Sequence, residues 1–435
     1  MTNDESNPNI RIPNDRNSDD IGSFEHLNIV GRHHSDLIRH SSFEFQVFGM
    51  TLADYAAFRG KHSQAVRNDY RDLMRSPMAP RQSRGLTAVT RRSEDPIDGT
   101  LKFCLSVGVH NDMPLESESV IIPMTSFGGK RWYTLCVSSQ VGCRMGCGFC
   151  ETGRMGLLAN LTPAQIVQQR LVARVLRLES REARSQKPVA RSGQPPSGSR
   201  LQASGFPPPA SRGYKYFSDG IQNIVFMGMG EPLDNYENLI QAIRVLSEPA
   251  GLDFPLAQIT VSTVGRIDGL RKLAALCRSH PLWRNLRIAI SLNAATDTLR
   301  DQLMPINRAM PLKELKRALL DYPLGPKGRF LIEYVVIKDI NHSSAAVAAV
   351  ADFCDGIPCI VNLIPYNPCR SQHFAAYQTP DDAAILGFMT ALKSRGLFVK
   401  RRTAHGRDLM SACGQLGNPQ QRSQKSEARS QKKFE

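Results

Sequence analysis

Short apolar segments that alternate with helical patterns fill the chain beyond about residue 130 and restrict its fold more than any other feature. The candidate strands are Thr134–Ser138, Asn223–Met227, Gln258–Ser262, Arg287–Leu292, Phe330–Ile337 and Ile360–Pro365. The candidate helices between them are Pro163–Leu176, Tyr236–Leu246, Leu312–Leu320 and Ala345–Phe353. Strands that are apolar almost throughout are typical of a parallel sheet covered by helices. About six such units predict an α/β fold with an incomplete (β/α)6 barrel, because a complete barrel has about eight.

The region before this barrel predicts smaller elements. Apolar and aromatic residues recur at helical spacing from Leu52 to Met74. Two strands, LKFCLSVGV and SVIIPM, flank a polar turn between Lys102 and Pro123. We therefore predict a small N-terminal helical/β accessory domain over residues 41–125 and the barrel over residues 126–416. Residues 1–40 lack periodicity and are predicted to be a disordered polar tail.

Two basic segments differ in composition from the rest of the chain. Residues 178–213 are rich in Pro, Gly, Ser and Arg, and the string EARSQK occurs at Glu182–Lys187 and again at Glu427–Lys432. Neither segment has an apolar period to bury. We predict a disordered insertion at 178–213 and a disordered basic tail at 417–435. The alternative for the insertion is an arm that tethers RNA, since basic disordered segments can fold on RNA.

Composition places further limits on the location and the partner. No run of about eighteen apolar residues predicts a membrane helix, and the polar N-terminus lacks the basic start and apolar core of a secretory signal. Ten cysteines, three of them in one loop, fit a reducing compartment and predict a cytoplasmic protein. The net charge of +15 suits a phosphate-rich partner, although nearly half of the excess lies in the two segments predicted to be disordered.

Three cysteines, Cys143, Cys147 and Cys150, lie within the stretch CVSSQVGCRMGCGFCETG. Their C-x3-C-x2-C spacing supplies three thiolates, whereas an iron–sulfur cluster usually takes four. The spacing therefore predicts a cubane cluster with one iron open to a ligand that is not protein. A zinc site would need a further ligand, typically from a second C-x2-C pair, and the sequence has no such pair. Structural zinc and unligated thiols remain the alternatives.

Several further motifs follow in order between about Thr100 and Leu416. They are Cys136, Gly228–Pro232 (GMGEP), Ser291-Leu292, Asn362–Pro365 and Ala412–Leu416. With the cysteine spacing, they resemble the radical S-adenosylmethionine (SAM) superfamily, in which the open iron chelates SAM. Within it the chain is similar to the RNA adenine methyltransferases that modify C2 of adenosine in 23S rRNA and tRNA, and to their relatives that confer antibiotic resistance by modifying C8.

This resemblance implies an incomplete (β/α)6 radical SAM barrel with a [4Fe-4S] cluster and SAM as cofactors. Gly230 and Glu231 would bind the methionine part of SAM. Further contacts to SAM are implied for Ser262, Ser291, Leu292, Asn293 and Asn367. Asn293 stands where the family usually has histidine, although asparagine can also donate and accept hydrogen bonds. Without the resemblance, polar residues at strand ends would be interpreted as caps or turns.

The resemblance also implies roles for two thiols and a base. An electron-poor adenine carbon resists direct methylation, so in the family a thiolate, here Cys413, first takes a methyl group from one SAM. A second SAM, cleaved reductively, yields the radical that activates this methyl group for addition to the ring. Cys136 would release the adduct by forming a disulfide bond with Cys413, and Glu118 would remove the ring proton. Judged alone, Cys136 would be a core cysteine and Glu118 a strand-edge residue.

The predicted function is a monomeric, cytoplasmic radical SAM methyltransferase that methylates an adenosine ring carbon, C2 rather than C8, in 23S rRNA or tRNA. Its partners would be RNA and an electron donor such as flavodoxin. One alternative is an activase or maturase that acts on protein, which would leave Cys136, Cys413 and Glu118 without a role. The other is a non-catalytic cluster protein that binds RNA with a strong salt dependence but consumes no SAM.

Overall fold

The computed structural model describes residues 46–75, 86–126, 128–185, 219–369, 377–402, 406 and 409–417. The predicted tail at 1–40 lies outside the described residues. So do most of the predicted insertion at 178–213 and all but the first residue of the predicted tail at 417–435.

An open ten-stranded sheet forms the frame of the described residues. Its strands are β1 (Val89–Glu94), β2 (Leu101–His110), β3 (Met113–Thr125), β4 (Arg131–Cys136), β7 (Ile221–Phe226), β8 (Ile259–Thr263), β9 (Arg287–Ser291), β10 (Phe330–Val336), β11 (Cys359–Pro365) and β12 (Val399–Arg401), in that spatial order. A separate hairpin consists of β5 (Gln140–Cys143) and β6 (Gly156–Asn160). Strands β4 and β7–β12 are parallel. Because β1 and β12 form the two edges, the barrel is incomplete, which confirms the predicted fold class.

Ten helices of the described residues accompany these strands. They are α1 (Leu52–Phe58), α2 (Gln64–Arg75), α3 (Glu151–Arg154), α4 (Pro163–Ser185), α5 (Tyr236–Leu246), α6 (Ile267–Ser279), α7 (Asp297–Leu303), α8 (Leu312–Leu320), α9 (Ser344–Cys354) and α10 (Asp382–Ser394). Short 3-10 turns lie at Pro232–Asn235, Leu256–Gln258, Pro281–Asn285 and Pro305–Arg308. No helix of the described residues is long and apolar enough to span a bilayer.

Two boundaries differ from those that the sequence predicts. Helix α4 continues to Ser185, so the first residues of the segment predicted as a disordered insertion are helical. The strands of the predicted accessory region hydrogen-bond to the barrel, because β3 pairs with β4 and places Val120 opposite Cys136. The accessory strands therefore extend the barrel sheet at its β4 edge.

The core lies between the parallel strands and their helices. The central residues of β8 and β9 are fully buried, whereas Ser262 and Ser291 near their carboxyl ends are partly exposed. Parallel strands all end at the same edge of a sheet, where ligands bind in this architecture. The fold therefore brings the polar strand ends together at one mouth.

Candidate active site

An open cleft lies at the carboxyl ends of the parallel strands and encloses about 830 Å³ of empty space, including solvent at its mouth. The predicted site residues that line it are Cys147, Cys150, Gly230, Glu231, Ser262, Ser291, Asn293 and Cys413. They come from segments far apart in sequence, which the order of the strands brings together. Cys143, Cys136, Glu118, Leu292 and Asn367 lie outside this lining.

The cysteine loop starts at the β5–β6 hairpin, where Cys143 pairs with Gly156. Gly142 has a φ of +72°, which L side chains rarely adopt, and a Cβ there would overlap the carbonyl oxygen of Gly156. At the far end of the loop, the amide of Gly148 donates to the carbonyl oxygen of Leu303 on α7, at 2.9 Å. The loop is therefore fixed both to the hairpin and to the barrel.

The three loop cysteines lie close enough to interact electrostatically. Burial raises the pKa of the Cys143 thiol, and the charges of Cys147 and Cys150 raise it further. Burial also raises the pKa of Cys147 and of Cys150. Positive charge beside these thiols, as bound iron would provide, would favour their ionisation to the thiolates that bind metal.

Three cysteine thiolates from one loop are a donor set that fits a [4Fe-4S] cluster. Among the described residues, no group of three or more His, Cys, Asp or Glu side chains could hold one metal ion. A single zinc ion needs its ligands around one point, whereas each thiolate of a cubane binds a different iron.

The GMGEP turn packs directly on the chain that leaves β4. The amide of Gly228 donates to the carbonyl oxygen of Val137, and a Cβ at Gly228 would lie 2.6 Å from that oxygen. Gly230 has a φ of +101°, and a Cβ there would lie 2.5 Å from the Cβ of Gln140. Glycine is required at both positions because the two segments approach so closely.

Glu231 follows this turn and is buried. Its carboxylate accepts hydrogen bonds from the amide of Leu233 at 3.1 Å and from the amide of Val264 at 2.9 Å. Burial nevertheless raises the pKa of Glu231 to about 7. A cationic group placed beside this carboxylate would favour its charged form, so the geometry suits an ammonium ligand.

Three of the predicted SAM contacts have other partners in the structure. Asn293, at a φ of +56°, accepts a hydrogen bond through Oδ1 from the amide of Val335 at 2.9 Å. Leu292 is fully buried, and its amide donates to the carbonyl oxygen of Glu333. Asn367 donates to the carbonyl oxygen of Cys413 at 3.2 Å. Leu292 and Asn367 therefore position neighbouring segments, whereas Asn293 also lines the cleft.

Cys413 is exposed and lies on the C-terminal segment, residues 409–417. Besides Asn367, the amide of Glu151 holds this segment by donating to the carbonyl oxygen of Gly414 at 2.8 Å. The side chain of Gln415 donates to the carbonyl oxygen of Pro368 at 2.7 Å. These contacts place the thiol of Cys413 in the cleft that Cys147 and Cys150 also line.

Cys136 ends β4 and is buried. The pKa of its thiol is raised to about 12, chiefly by burial and also by the nearby charge of Cys413, while Arg402 acts in the opposite direction. The two cysteines are therefore close enough to interact, yet all ten cysteines of the chain are free thiols, so the structure contains no Cys136–Cys413 disulfide.

Glu118 has a different setting from the one expected of a base that faces a substrate. Its carboxylate forms an ion pair with Lys102 at 2.7 Å and accepts a hydrogen bond from the amide of Gly417 at 3.1 Å. Lys102 also donates to the carbonyl oxygen of Met410 at 3.1 Å. In this structure the pair anchors the C-terminal segment. The catalytic role of Glu118 stays a prediction.

Three charged residues near the cleft are missing from the sequence prediction. Arg402, directly after β12, lines the cleft and donates to Glu333 at 3.4 Å. Glu333 also accepts from the side chain of Asn362 at 2.9 Å. Arg300 on α7 is buried and donates to carbonyl oxygens at the ends of β8 and β9. No local motif marks these residues, because their partners are distant in sequence.

A parallel partial barrel whose mouth holds a three-cysteine loop and a GMGEP turn defines a radical SAM enzyme. A radical SAM methyltransferase from Sphaerobacter thermophilus shares the fold, with a TM-score of 0.66 and 30% identity over 85% of this chain and 98% of that protein. No family model matches the chain.

Curated relatives identify the group within that class. The chain is 38% identical to the probable dual-specificity RNA methyltransferase RlmN 1 of Protochlamydia amoebophila, over 70% of each chain. It is 35% identical to the dual-specificity RNA methyltransferase RlmN of Desulfotalea psychrophila, over 83% of this chain and 89% of the relative. The protein therefore belongs to the RlmN family of dual-specificity RNA methyltransferases. This result confirms the family that the sequence motifs predict.

Proposed function

We propose that this protein methylates a ring carbon of adenosine in RNA, with Cys413 as the carrier of the methyl group and SAM as its source. The observation that carries the proposal is that Cys413 lines one cleft with Cys147, Cys150 and Glu231. Adenosine in 23S rRNA or tRNA is the proposed target, and the choice of C2 over C8 rests on the resemblance alone.

Different residues of the cleft would bind the iron–sulfur cluster and SAM. Cys143, Cys147 and Cys150 would hold a [4Fe-4S] cluster, which supplies the electron for reductive cleavage of SAM. Glu231 would pair with the ammonium group of SAM, since its carboxylate is buried and already fixed by two backbone amides. Ser262 and Ser291 offer hydroxyl groups at neighbouring strand ends of the same cleft.

The two remaining cysteines suit the handling of the methyl group. Cys413 is exposed, so SAM and RNA can both reach its thiol. Cys136 is buried beside it and would release the RNA adduct by forming a transient disulfide with Cys413. Burial raises the pKa of Cys136, and the charge of Arg402 offsets part of that rise in favour of the thiolate that this step needs.

Glu118 remains our proposed base for the ring proton. Lys102 and the amide of Gly417 both contact Oε2 of its carboxylate, and a shift of the C-terminal segment when RNA binds would free that oxygen. RNA and an electron donor such as flavodoxin remain the predicted partners, and the monomeric state and the cytoplasmic location also stay predictions.

Nucleoside mass spectrometry tests the function. The reconstituted protein would be incubated without oxygen with rRNA or tRNA, SAM and a reductant, and 2-methyladenosine or 8-methyladenosine should appear. If SAM is cleaved but neither nucleoside forms on either RNA, the proposed substrate is wrong and protein targets of an activase become the next candidates. If SAM is not consumed at all, a non-catalytic RNA-binding protein is the better description.

Cysteine variants test the division of roles. The Cys413→Ala variant should still cleave SAM reductively but should transfer no methyl group to RNA. The Cys136→Ala variant should accumulate a covalent protein–RNA adduct, visible as a shifted band on a denaturing gel. Cys277→Ala is the matched control, because Cys277 is a buried cysteine that contacts Tyr322 and lies outside the cleft lining. Methylated RNA from Cys413→Ala would contradict the carrier role.

A further inference from the structure

A second hollow lies at the opposite end of the parallel strands from the active-site cleft. It is formed by the first residues of β9, by the loop that precedes β10 and by parts of β11 and β12, and it encloses about 1320 Å³ of empty space. Since these strands have five to seven residues in β9–β11, at about 3.3 Å per residue, the hollow lies about 20 Å from the cleft. We call it the basal pocket.

Positive charge dominates the basal pocket. Among the residues that the structure describes, five cations line it, Arg284, Arg287, Lys327, Arg329 and Lys400, and no acidic side chain does. Within the described part of the chain, none of the five forms an ion pair with a carboxylate. Five cations around one hollow without counter-charges create a positive potential that attracts an anionic ligand.

The loop before β10 is shaped to present these charges. The amide of Gly328 donates to the carbonyl oxygen of Gly325 at 2.8 Å, which closes a tight turn with Lys327 inside it and Arg329 directly after it. Both side chains are exposed. The turn therefore holds two cations at the rim of the pocket.

An exposed aromatic ring adjoins the same pocket. The side chain of Phe398 is 57% exposed, and the Nζ atom of Lys400 lies 5.5 Å from the centre of its ring. An aromatic face beside a positively charged groove is the combination that proteins use to stack bases and track a single-stranded nucleic-acid backbone. A small inorganic anion has no base to stack on this ring, so the ring favours a nucleic acid as the ligand.

We propose that the basal pocket binds the phosphate backbone of RNA, at a part of the substrate away from the nucleotide that enters the cleft. This inference rests on the proposed RNA substrate. The separation of about 20 Å, set by the strand length, requires an RNA large enough to reach around the barrel. A folded tRNA or rRNA domain meets this requirement, whereas a short stem-loop that only fills the cleft does not.

The test compares a basal variant with a control of equal charge. The basal variant carries Arg287→Gln, Arg329→Gln and Lys400→Gln. The control variant carries Arg271→Gln, Lys272→Gln and Arg317→Gln, which removes three exposed cations from α6 and α8. Each protein would be titrated with a full-length tRNA transcript and with a short stem-loop at several salt concentrations, after circular dichroism and iron content are shown to match the wild type.

We expect the basal variant to bind the full-length RNA about tenfold more weakly at low salt, with a salt dependence shallower by about two to three in the log–log slope. Binding of the short stem-loop should be unchanged, and the control variant should match the wild type with both RNAs. A separate Phe398→Ala variant should weaken full-length binding by at least about fivefold, because it removes a stacking surface.

Three results would overturn the inference. Equal affinities of the basal and control variants for full-length RNA would show that the pocket does not contact it. Equal loss of stem-loop binding would show that the substitutions act through the cleft. In a parallel titration with pyrophosphate, a basal variant that loses pyrophosphate binding but keeps RNA binding would identify a small-anion site instead. If the wild type itself binds neither RNA, the proposed function fails together with the inference. If the wild type binds RNA and the basal variant binds it equally well, the inference alone fails.

Discussion

Replacing Arg300 with methionine tests the idea that one buried cation holds the mouth of the barrel together. The Arg300 side chain is 1% exposed, and its guanidinium donates to the carbonyl oxygens of Leu292 at 3.1 Å, Val264 at 2.6 Å and Ser291 at 3.3 Å. It also donates to the side chain of Asn307 at 2.8 Å. These contacts join the ends of β8 and β9 to the segment after α7.

The expected loss of stability follows from the carbonyl groups that methionine would leave without a hydrogen-bond donor. Each buried acceptor that loses its partner costs about 1–3 kcal/mol, and three carbonyls and one amide oxygen are affected. The loss is partly offset, because burial penalises the cation and lowers the pKa of Arg300 to about 10. We therefore expect Arg300→Met to lower the free energy of unfolding by about 3 kcal/mol.

Urea denaturation of the protein without cofactors, followed by circular dichroism, measures this change. Arg300→Lys should fall between methionine and the wild type, since lysine keeps the charge but cannot reproduce the planar fork of donors. Arg317→Met is the control, because Arg317 is 61% exposed on α8, and it should change stability by less than about 0.5 kcal/mol. A loss below about 1 kcal/mol for Arg300→Met would refute the reasoning.

The remaining predictions concern three contacts around the cleft. Because burial raises the pKa of Glu231 to about 7, protons compete with the ammonium group of SAM for its carboxylate. The affinity of the protein for SAM, measured by equilibrium dialysis, should therefore fall as the pH decreases from about 8 to about 6. The Glu231→Gln variant should bind SAM weakly and without this pH dependence. A flat wild-type profile would contradict the role of Glu231. Lys102→Met removes the nearer cation of the buried Glu118 carboxylate and leaves Arg91 at 3.9 Å. The change should cost up to about 3 kcal/mol, with faster hydrogen exchange at the Gly417 amide, and Glu118→Gln in the same protein should restore part of the loss. Gly142→Ala should prevent normal iron loading, whereas Gly60→Ala, also at a positive φ but with nothing within 4 Å of the added Cβ, should load iron as the wild type does.

The parallel strands could be predicted because burial on both faces makes each of them apolar almost throughout. The helices Tyr236–Leu246 and Leu312–Leu320 have the bounds that their periodicity predicts. Strand β12 was not predicted, because it has three residues and only Val399 is buried, while Lys400 and Arg401 face outward. A strand at the edge of a sheet needs no continuous apolar run, so its sequence resembles a loop.

The end of α4 shows why a boundary based on composition was placed too early. The segment from Leu178 to Ser185 contains charged residues that form helices readily and no glycine or proline. The first proline after it is Pro188, where a helix must end or bend. A change from apolar to charged residues therefore marks the end of burial and not the end of the helix.

Within the site, only local features could be predicted from the residues themselves. The cysteine spacing and the GMGEP turn are local because tight loops determine their geometry. The pairing of Arg402 with Glu333 joins residues that lie 69 positions apart, and the donation from Gly417 to Glu118 spans 299 positions. Such contacts depend on the strand order, and one sequence carries no signal for them.

Glu118 shows how such a distant contact bears on the proposed chemistry. Lys102 and the amide of Gly417 both contact Oε2 of its carboxylate, so these two contacts occupy the oxygen that faces the C-terminal segment. Gly417 lies four residues after Cys413 in the same C-terminal segment. A shift of this segment that frees Glu118 would therefore also move the thiol that carries the methyl group. If Glu118 acts through Oε2, that oxygen becomes available in the same motion that repositions Cys413, which couples proton removal to the position of the methyl carrier.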